Sequence, residues 1–335
     1  MNILVTGCFG FIGYNFIKKI SEDKNFNFNL TGIDLLNNPY SQLNKEIFLK
    51  NNNFEFYQEN ITNINNLNIE TKEFDLVVNF AAESHVDTSI YNPDIFIESN
   101  VIGVNSLLTY CVKNNIENYI QISTDEVYGS ASNNFFKEDD NLNPSSPYSA
   151  SKASADMMCN SYMKTFGLKI KTIRPANNYG PYQQPEKLIP FSISNILEKN
   201  ELEIYGDGSN IRHWLYVKDT VDGILKVIEN GKSGEIYNIG SGVYFTNNEL
   251  ALMLVNKFNL NAKAIKYVKD RPGHDFKYAI NYDRLASLGW EPNYKFDKAL
   301  DETITWNLEN KDWLSKNISQ IRKNRKLRFS DSKTT

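Results

Sequence analysis

Over its first 175 residues the chain alternates short apolar runs with longer amphipathic ones, and no other feature restricts its fold as much. Residues 3–6, 30–35, 54–58, 76–80, 119–123 and 169–174 read as buried strands. Between them, 11–20 (with Ile12, Phe16, Ile17 and Ile20 at helical spacing), a stretch around 95–113, and 149–166 read as helices. Strands separated by helices of this length require right-handed crossovers, so the expectation is an α/β fold with a doubly wound parallel sheet. From about residue 176 the rhythm breaks. Pro and Gly crowd residues 174–190, and Gly206-Asp207-Gly208 and Arg271-Pro272-Gly273 follow. A smaller mixed α/β lobe over 176–315 is expected there, capping the carboxyl edge of the sheet. Residues 214–227, as a helix, and 237–239, as a strand, are expected to rejoin the main sheet. Residues 316–335 carry Arg322, Lys323, Arg325, Lys326 and Arg328 and read as a basic polar tail, frayed and solvated.

Composition removes several function classes. A formal net charge of -4 over 335 residues does not suit a nucleic-acid partner. No run of eighteen apolar residues calls for a membrane span, and the start of the chain lacks a signal-peptide pattern. Cys8, Cys111 and Cys159 are scattered and odd in number, which fits a reduced, cytoplasmic protein. His85, His213 and His274 have no partners at metal-ligand spacing, so no metal is expected.

The first strand runs into Gly7-Cys8-Phe9-Gly10-Phe11-Ile12-Gly13 and then a helix. Glycines at this spacing allow a tight turn, close backbone approach to a pyrophosphate, and close helix–strand contact. The anion then meets exposed N–H groups at the positive helix end. Asp34 ends the second strand 21 residues after Gly13, where an acid accepts hydrogen bonds from an adenosine ribose and repels a 2′-phosphate. NAD is therefore expected rather than NADP, in a Rossmann-type domain over 1–175. Phe80, Ala81 and Ala82 after the fourth strand offer small surfaces to the cofactor.

Two further segments carry chemistry. Tyr148 and Lys152, four apart on a helix, share one face. A phenol lowered by a nearby ammonium and a positive nicotinamide can take the proton from a sugar hydroxyl, and Thr124 can bond the same oxygen. Asp125 and Glu126, side by side at a strand end, add what alcohol oxidation does not need. One acid–base group takes a carbon-bound proton and the other protonates a departing hydroxyl.

With these residues in view, the sequence resembles the extended short-chain dehydrogenase/reductases, and within them the nucleoside-diphosphate-glucose 4,6-dehydratases. The likeness runs from Met1 to about Trp313. It includes Ala81-Ala82-Glu83-Ser84-His85-Val86-Asp87, Ser123 to Gly129, Asn177 to Gln183, Pro185 to Pro190, Tyr205 to Gly208, and Asp270 to Asp275. The resemblance implies Tyr148 as oxidation base with Lys152 as its partner. It makes Asp125 the acid at the carbon 6 hydroxyl and Glu126 the base at carbon 5. It extends the cofactor contacts to Phe11, Ile12, Asn60, Ile61, Ser99 and Asn178. It places the nucleoside-diphosphate hexose among Ser84, Thr124, Asn177, Lys187, Leu188, Tyr205, Arg212, Asn247, Arg271 and His274. It also implies a homodimer, through apolar faces in 95–112 and 153–162. The implied reaction is 4,6-dehydration, with dTDP-glucose as substrate. UDP-glucose, UDP-N-acetylglucosamine, an epimerase of the same fold and a non-catalytic NAD-binding protein are the alternatives.

The chain departs from the family pattern in places. Cys8 and Phe9 replace Gly-Ala, Thr88 stands where Arg is frequent, and Asn60 where Asp often meets the adenine. His213 replaces a common Asp and is expected to touch the nucleotide end.

Overall fold

The computed structural model describes residues 1–330 apart from Lys24, Asn53, Asn68, Glu70, Thr71, Lys72, Asn133 and Asn200, with side chains described as far as Arg325. Its strands are β1 (Asn2–Thr6), β2 (Asn29–Asp34), β3 (Glu55–Gln58), β4 (Leu76–Asn79), β5 (Asn118–Ile122), β6 (Lys169–Pro175), β7 (Asn177–Tyr179), β8 (Leu202–Tyr205), β9 (Ile211–Tyr216), β10 (Ile236–Ile239), β11 (Tyr244–Thr246) and β12 (Ile265–Val268). Seven of them form one parallel sheet in the order β3-β2-β1-β4-β5-β6-β10. Chain direction across the sheet reverses between β1 and β4. In such sheets the crevice beyond the carboxyl ends at this reversal is where ligands bind.

Period-two alternation explains why these short strands are apolar throughout. Ile3, Val5 and Val78 face one core, while Leu4, Val77 and Tyr119 face another on the opposite side of the sheet. A third core, built on Tyr179, Ile193, Ile204, Trp214 and Leu254, belongs to the C-terminal part. There β7 pairs parallel with β9, β9 pairs antiparallel with β11, and β8 pairs parallel with β12.

The helix expected around 95–113 is continuous over Asp94–Lys113, with a π-helical stretch at Ile97–Ile102. By length and apolarity alone it could cross a membrane. Phe96, Val104, Leu107 and Leu108 on it are nevertheless buried in this fold. The helix expected at 149–166 begins two residues earlier, as Pro147–Phe166. Ser146 caps it by accepting from Ser149 N at 3.1 Å, and Ser149 Oγ accepts from Ser146 N at 3.0 Å.

Two expectations fail. Residues 214–227 are not one helix: Trp214 to Tyr216 end β9, and the helix is Val217–Asn230. That helix nevertheless packs on β6, β10 and the helix Phe11–Glu22, and 237–239 joins the sheet within β10, so both segments return to the main sheet. Within the tail, Ile318–Ser330 is not frayed either but is a helix docked on the C-terminal lobe, and 331–335 lie outside the described residues. Ile318 is buried, and Arg322 donates to Asn195 Oδ1 at 2.9 Å and Ser194 Oγ at 3.1 Å and pairs with Glu198. Ile318, Arg322 and Arg325 lie at i, i+4, i+7, a helical stripe hidden within the charge run. Lys326 and Arg328 lie outside the described side chains.

Candidate active site

The glycine loop joins β1 to the helix Phe11–Glu22 at the sheet's reversal point. Gly7 has φ +66°, and a Cβ there would stand 2.5 Å from Ala81 N at the end of β4. A Cβ on Gly13 would meet Gly7 O at 2.2 Å. The fold itself therefore forces glycine at both positions. Gly10 differs: its Cβ would touch only Gly7 O, at 3.3 Å, so the space beside it is open. The helix has no side-chain cap and no acid in its first turn. Phe11, Ile12 and Gly13 thus present N–H groups to an anion. Asp34 sits at the end of β2, with Oδ2 accepting from Phe9 N at 3.0 Å and Oδ1 from Leu36 N at 2.9 Å. Each oxygen retains a lone pair for a diol. These features fit an adenine dinucleotide.

The other expected cofactor residues have different surroundings. Phe80 packs its ring at a tilt against Phe16, and Ala81 and Ala82 are half-buried. Ser99 lies on the π-helical stretch. Asn60 uses its amide oxygen to accept from Thr62 N at 3.0 Å, capping a 3-10 turn. Ile61 puts its side chain into the core against Gly103. Asn178 is tied to the Ala176 carbonyl and borders the substrate cleft.

Thr124 ends the strand segment after β5 and caps a single 3-10 turn, Asp125–Tyr128. That turn separates the two acids. Asp125 is 2 % exposed with Oδ2 unpartnered, whereas Glu126 stays half-buried and lines the cleft, accepting from Tyr278 Oη at 3.2 Å. Burial, then repulsion from Glu126, pushes the Asp125 carboxyl well above its ordinary value and so favours its protonated form. Burial also raises Glu126, but Arg271, Lys187 and Arg212 oppose it. The two acids differ in environment as a proton donor and a proton acceptor should.

Tyr148 and Lys152 are both buried on the helix Pro147–Phe166, and Phe96 packs edge-on to Tyr148. The expected lowering of the phenol is not a property of the protein alone. Burial and the Glu126 charge push Tyr148 above its ordinary value. Burial lowers Lys152 to about 8, and its Nζ donates to Ile122 O at 2.6 Å. The folded protein gives up this proton near pH 8 and the unfolded chain only near about 10.4. Wild-type protein therefore carries a penalty below pH 8 that fades as pH rises through that window. Lys152→Met is expected to be more stable at pH 7 by about 1–2 kcal/mol. The advantage should shrink toward pH 10 in urea denaturation, and a pH-independent gap would refute this assignment.

The cleft, about 920 Å³ with its open mouth, lies over the carboxyl edge. Asn177, Lys187, Leu188, Tyr205, Arg212, Asn247, Arg271 and His274 line it, as expected from sequence. Thr124 is not among the lining residues, though its Oγ1 accepts from Glu126 N at 3.3 Å, and Ser84 is exposed, contributing its carbonyl to Lys187 Nζ at 2.7 Å. Arg212 donates to Asp275 O at 3.0 Å and lies over the Tyr278 ring at 4.4 Å. Asp87 binds Tyr205 Oη at 2.8 Å and Arg271 Nη1 at 3.2 Å. Burial opposes the Asp87 charge, yet His85, Arg271, Tyr205 and Arg325 hold the carboxyl well below its usual range. His274 bonds Asp270 at 2.6 Å and is lowered by burial to about 4, so it meets a ligand uncharged. Asn177 Oδ1, Arg271 Nε and Arg325 Nε are buried without partners around this one space.

His213 is the misplaced residue. It follows Arg212 on a strand and so points to the opposite face. Its Nε2 accepts from Ser241 N at 2.8 Å and Gly242 N at 2.9 Å, and burial lowers it to about 3. It holds a turn and leaves the nucleotide end untouched. Sequence reading missed Tyr278, Asp87, Arg325 and Asn100. Asn100 bonds Glu83 N at 2.9 Å and Ser151 Oγ at 2.9 Å, tying the loop after β4 to the Tyr148 helix. Among the described residues no cluster suits a metal ion.

The family described as GDP-mannose 4,6 dehydratase matches residues 4–303. The low-salt glycan biosynthesis protein Agl12 of Haloferax volcanii is 40% identical, over 92% of this chain and 99% of its own length. A dTDP-glucose 4,6-dehydratase of Salmonella typhimurium is 38% identical, over 94% of this chain and 95% of its own. A solved dTDP-glucose 4,6-dehydratase from Streptomyces venezuelae, with NAD and dTDP bound, superposes at TM-score 0.88 with 37% identity, covering 93% of this chain and 98% of that one. The chain belongs to the sugar 4,6-dehydratases of the extended short-chain dehydrogenase/reductase family.

Proposed function

We propose that the protein is an NAD-dependent nucleotide-sugar 4,6-dehydratase that converts dTDP-glucose to dTDP-4-keto-6-deoxyglucose. The single observation carrying this reading is the split acid pair, with Asp125 buried and Glu126 open to the cleft. An epimerase has no work for a buried acid beside a second one. In this reading residues 1–175, rejoined by parts of 214–240, hold NAD at Gly7, Gly10, Gly13 and Asp34, and 176–315 hold the nucleotide. NAD, when bound, supplies hydride acceptance from carbon 4 and hydride return to carbon 6.

The chain's own residues do the rest. Lys187, Arg212 and Arg271 bind the diphosphate, Arg212 with a fork suited to two oxygens. Tyr148, with Lys152 beside it and Thr124 orienting the hydroxyl, takes the carbon 4 hydroxyl proton. The positive charge of the oxidised cofactor offsets what burial and Glu126 oppose. The resulting ketone acidifies carbon 5, whose proton passes to Glu126. Asp125 gives its proton to the carbon 6 hydroxyl, which leaves as water. Glu126 then returns its proton to carbon 5.

Exposed Ile97, Ile102, Met157 and Phe166 on two neighbouring helices fit a second copy of the chain, so the enzyme works as a homodimer. Buried free thiols at Cys8, Cys111 and Cys159 accord with a cytoplasmic setting. One experiment tests the whole reading. The protein as purified, sized by sedimentation, is incubated with dTDP-glucose, UDP-glucose and UDP-N-acetylglucosamine. A 4-keto chromophore in alkali from dTDP-glucose without net cofactor consumption, by a two-chain particle, is expected. A 4-epimer as sole product, or turnover only of a UDP sugar, rejects it.

A further inference from the structure

The helix Ile318–Ser330 begins beyond residue 303, where the family match ends, yet it reaches the substrate cleft. Arg325 is its contribution. Its guanidinium carbon lies 4.2 Å from the Phe191 ring centre and 4.4 Å from that of Tyr205, between two aromatic faces. Arg325 Nη2 is 3.8 Å from Glu203 Oε2, too long for a firm hydrogen bond. The residue is 9 % exposed, and its Nε has no hydrogen-bond partner. An unpaired donor on a buried cation costs stability unless something occupies it. Arg322, three residues earlier on the same helix, has its fork filled by Ser194, Asn195 and Glu198.

The surroundings say what fills it. Arg325 stands beside Tyr205, whose hydroxyl is tied through Asp87 to Arg271, so these side chains form one wall of the cleft. Lys187 and Arg212 line the same cleft as further cations. We propose that Arg325, carried by the terminal helix, is an affinity residue for the nucleoside diphosphate part of the substrate, donating from its free N–H edge to the ligand and holding Tyr205 in place from behind. The inference rests on the nucleotide-sugar reading above and assigns the terminal helix as part of the binding site. Arg325 takes no part in proton transfer, so its effect falls on binding and KM rather than on kcat.

The test uses the full chain and dTDP itself, which has no hexose to react. Titration calorimetry is run on wild type, Arg325→Ala, Arg325→Gln and Arg325→Lys, with melting temperatures alongside. The expected result is a dTDP dissociation constant raised about 10-fold or more by Ala, by a similar factor by Gln, and by less by Lys, which keeps the charge but not the fork. The KM for dTDP-glucose should rise in step while kcat stays within about twofold. Should Ala prevent folding, Gln keeps the stem over Phe191 and carries the test. Wild type that binds dTDP, with a Gln variant that binds it equally well, overturns the role of Arg325 alone. Wild type that binds neither dTDP nor UDP overturns the nucleotide-sugar reading and this inference with it.

Discussion

Tyr148→Phe is expected to lower turnover of dTDP-glucose by about 10²- to 10⁴-fold, the range for loss of a positioned acid–base group. The ring of Tyr148 packs against Phe96 and Val86, and a phenylalanine retains that contact, so folding should be unaffected. Its hydroxyl also lies near Glu126, whose charge opposes a phenolate. Removing it relieves this opposition at the cost of its hydrogen bond with Thr124. Tyr148 is not among the residues lining the nucleotide part of the cleft, so dTDP affinity should stay within about twofold. The decisive measurement is solvent deuterium at carbon 5. Without a carbon 4 ketone that hydrogen is not acidic, so recovered substrate and residual product should carry none above the rate of turnover. A Tyr148→Phe protein that still exchanges carbon 5 rapidly would move the oxidation base elsewhere.

What could be read in the sequence was whatever depends on neighbours along the chain. Gly7 and Gly13 are fixed by contacts within one loop and the adjacent strand end, so their spacing already carried the geometry. Tyr148 and Lys152 share a helical face by spacing alone. Asp125 and Glu126 were legible as a pair but not in their difference. Which acid is sealed and which is open depends on the 3-10 turn that follows Thr124, and on Tyr278 arriving from 152 residues further on. Asp87, Arg271 and Tyr205 come from three distant segments, so no spacing rule could join them. His213 was misread because adjacency in sequence was taken for adjacency in space, and on a strand the next side chain points away. Arg325 was lost inside a charge run whose composition suggested solvation. Its i, i+4, i+7 stripe was the available signal, and only the partner surface at Phe191 and Tyr205 gives it meaning.

Glu126→Gln should separate the steps of the reaction rather than abolish all of them. Gln keeps the size of the side chain and a bonding partner for Tyr278, so the cleft should hold its shape. It cannot accept a proton from carbon. Oxidation at carbon 4 through Tyr148 remains possible and should benefit, because Glu126 is the charge that most opposes the phenolate. Product formation should nevertheless fall by about 10²- to 10⁴-fold, and deuterium should not enter carbon 5 of recovered substrate. Asp125→Asn should behave differently: Glu126 still takes the carbon 5 proton, so exchange outruns elimination and labelled dTDP-glucose returns to solution. The pH profiles sharpen the contrast. Glu126 acts when deprotonated, so activity of the wild type should rise with pH through its titration. Asp125 acts when protonated, so activity should fall once pH exceeds its raised value. Removing the Glu126 charge also removes repulsion that holds Asp125 up, and its titration should shift down in Glu126→Gln. If Glu126→Gln dehydrates normally with carbon 5 labelled, the base is another residue. If both variants lose exchange equally, the two acids act as one unit and the division of roles between a sealed donor and an open acceptor fails.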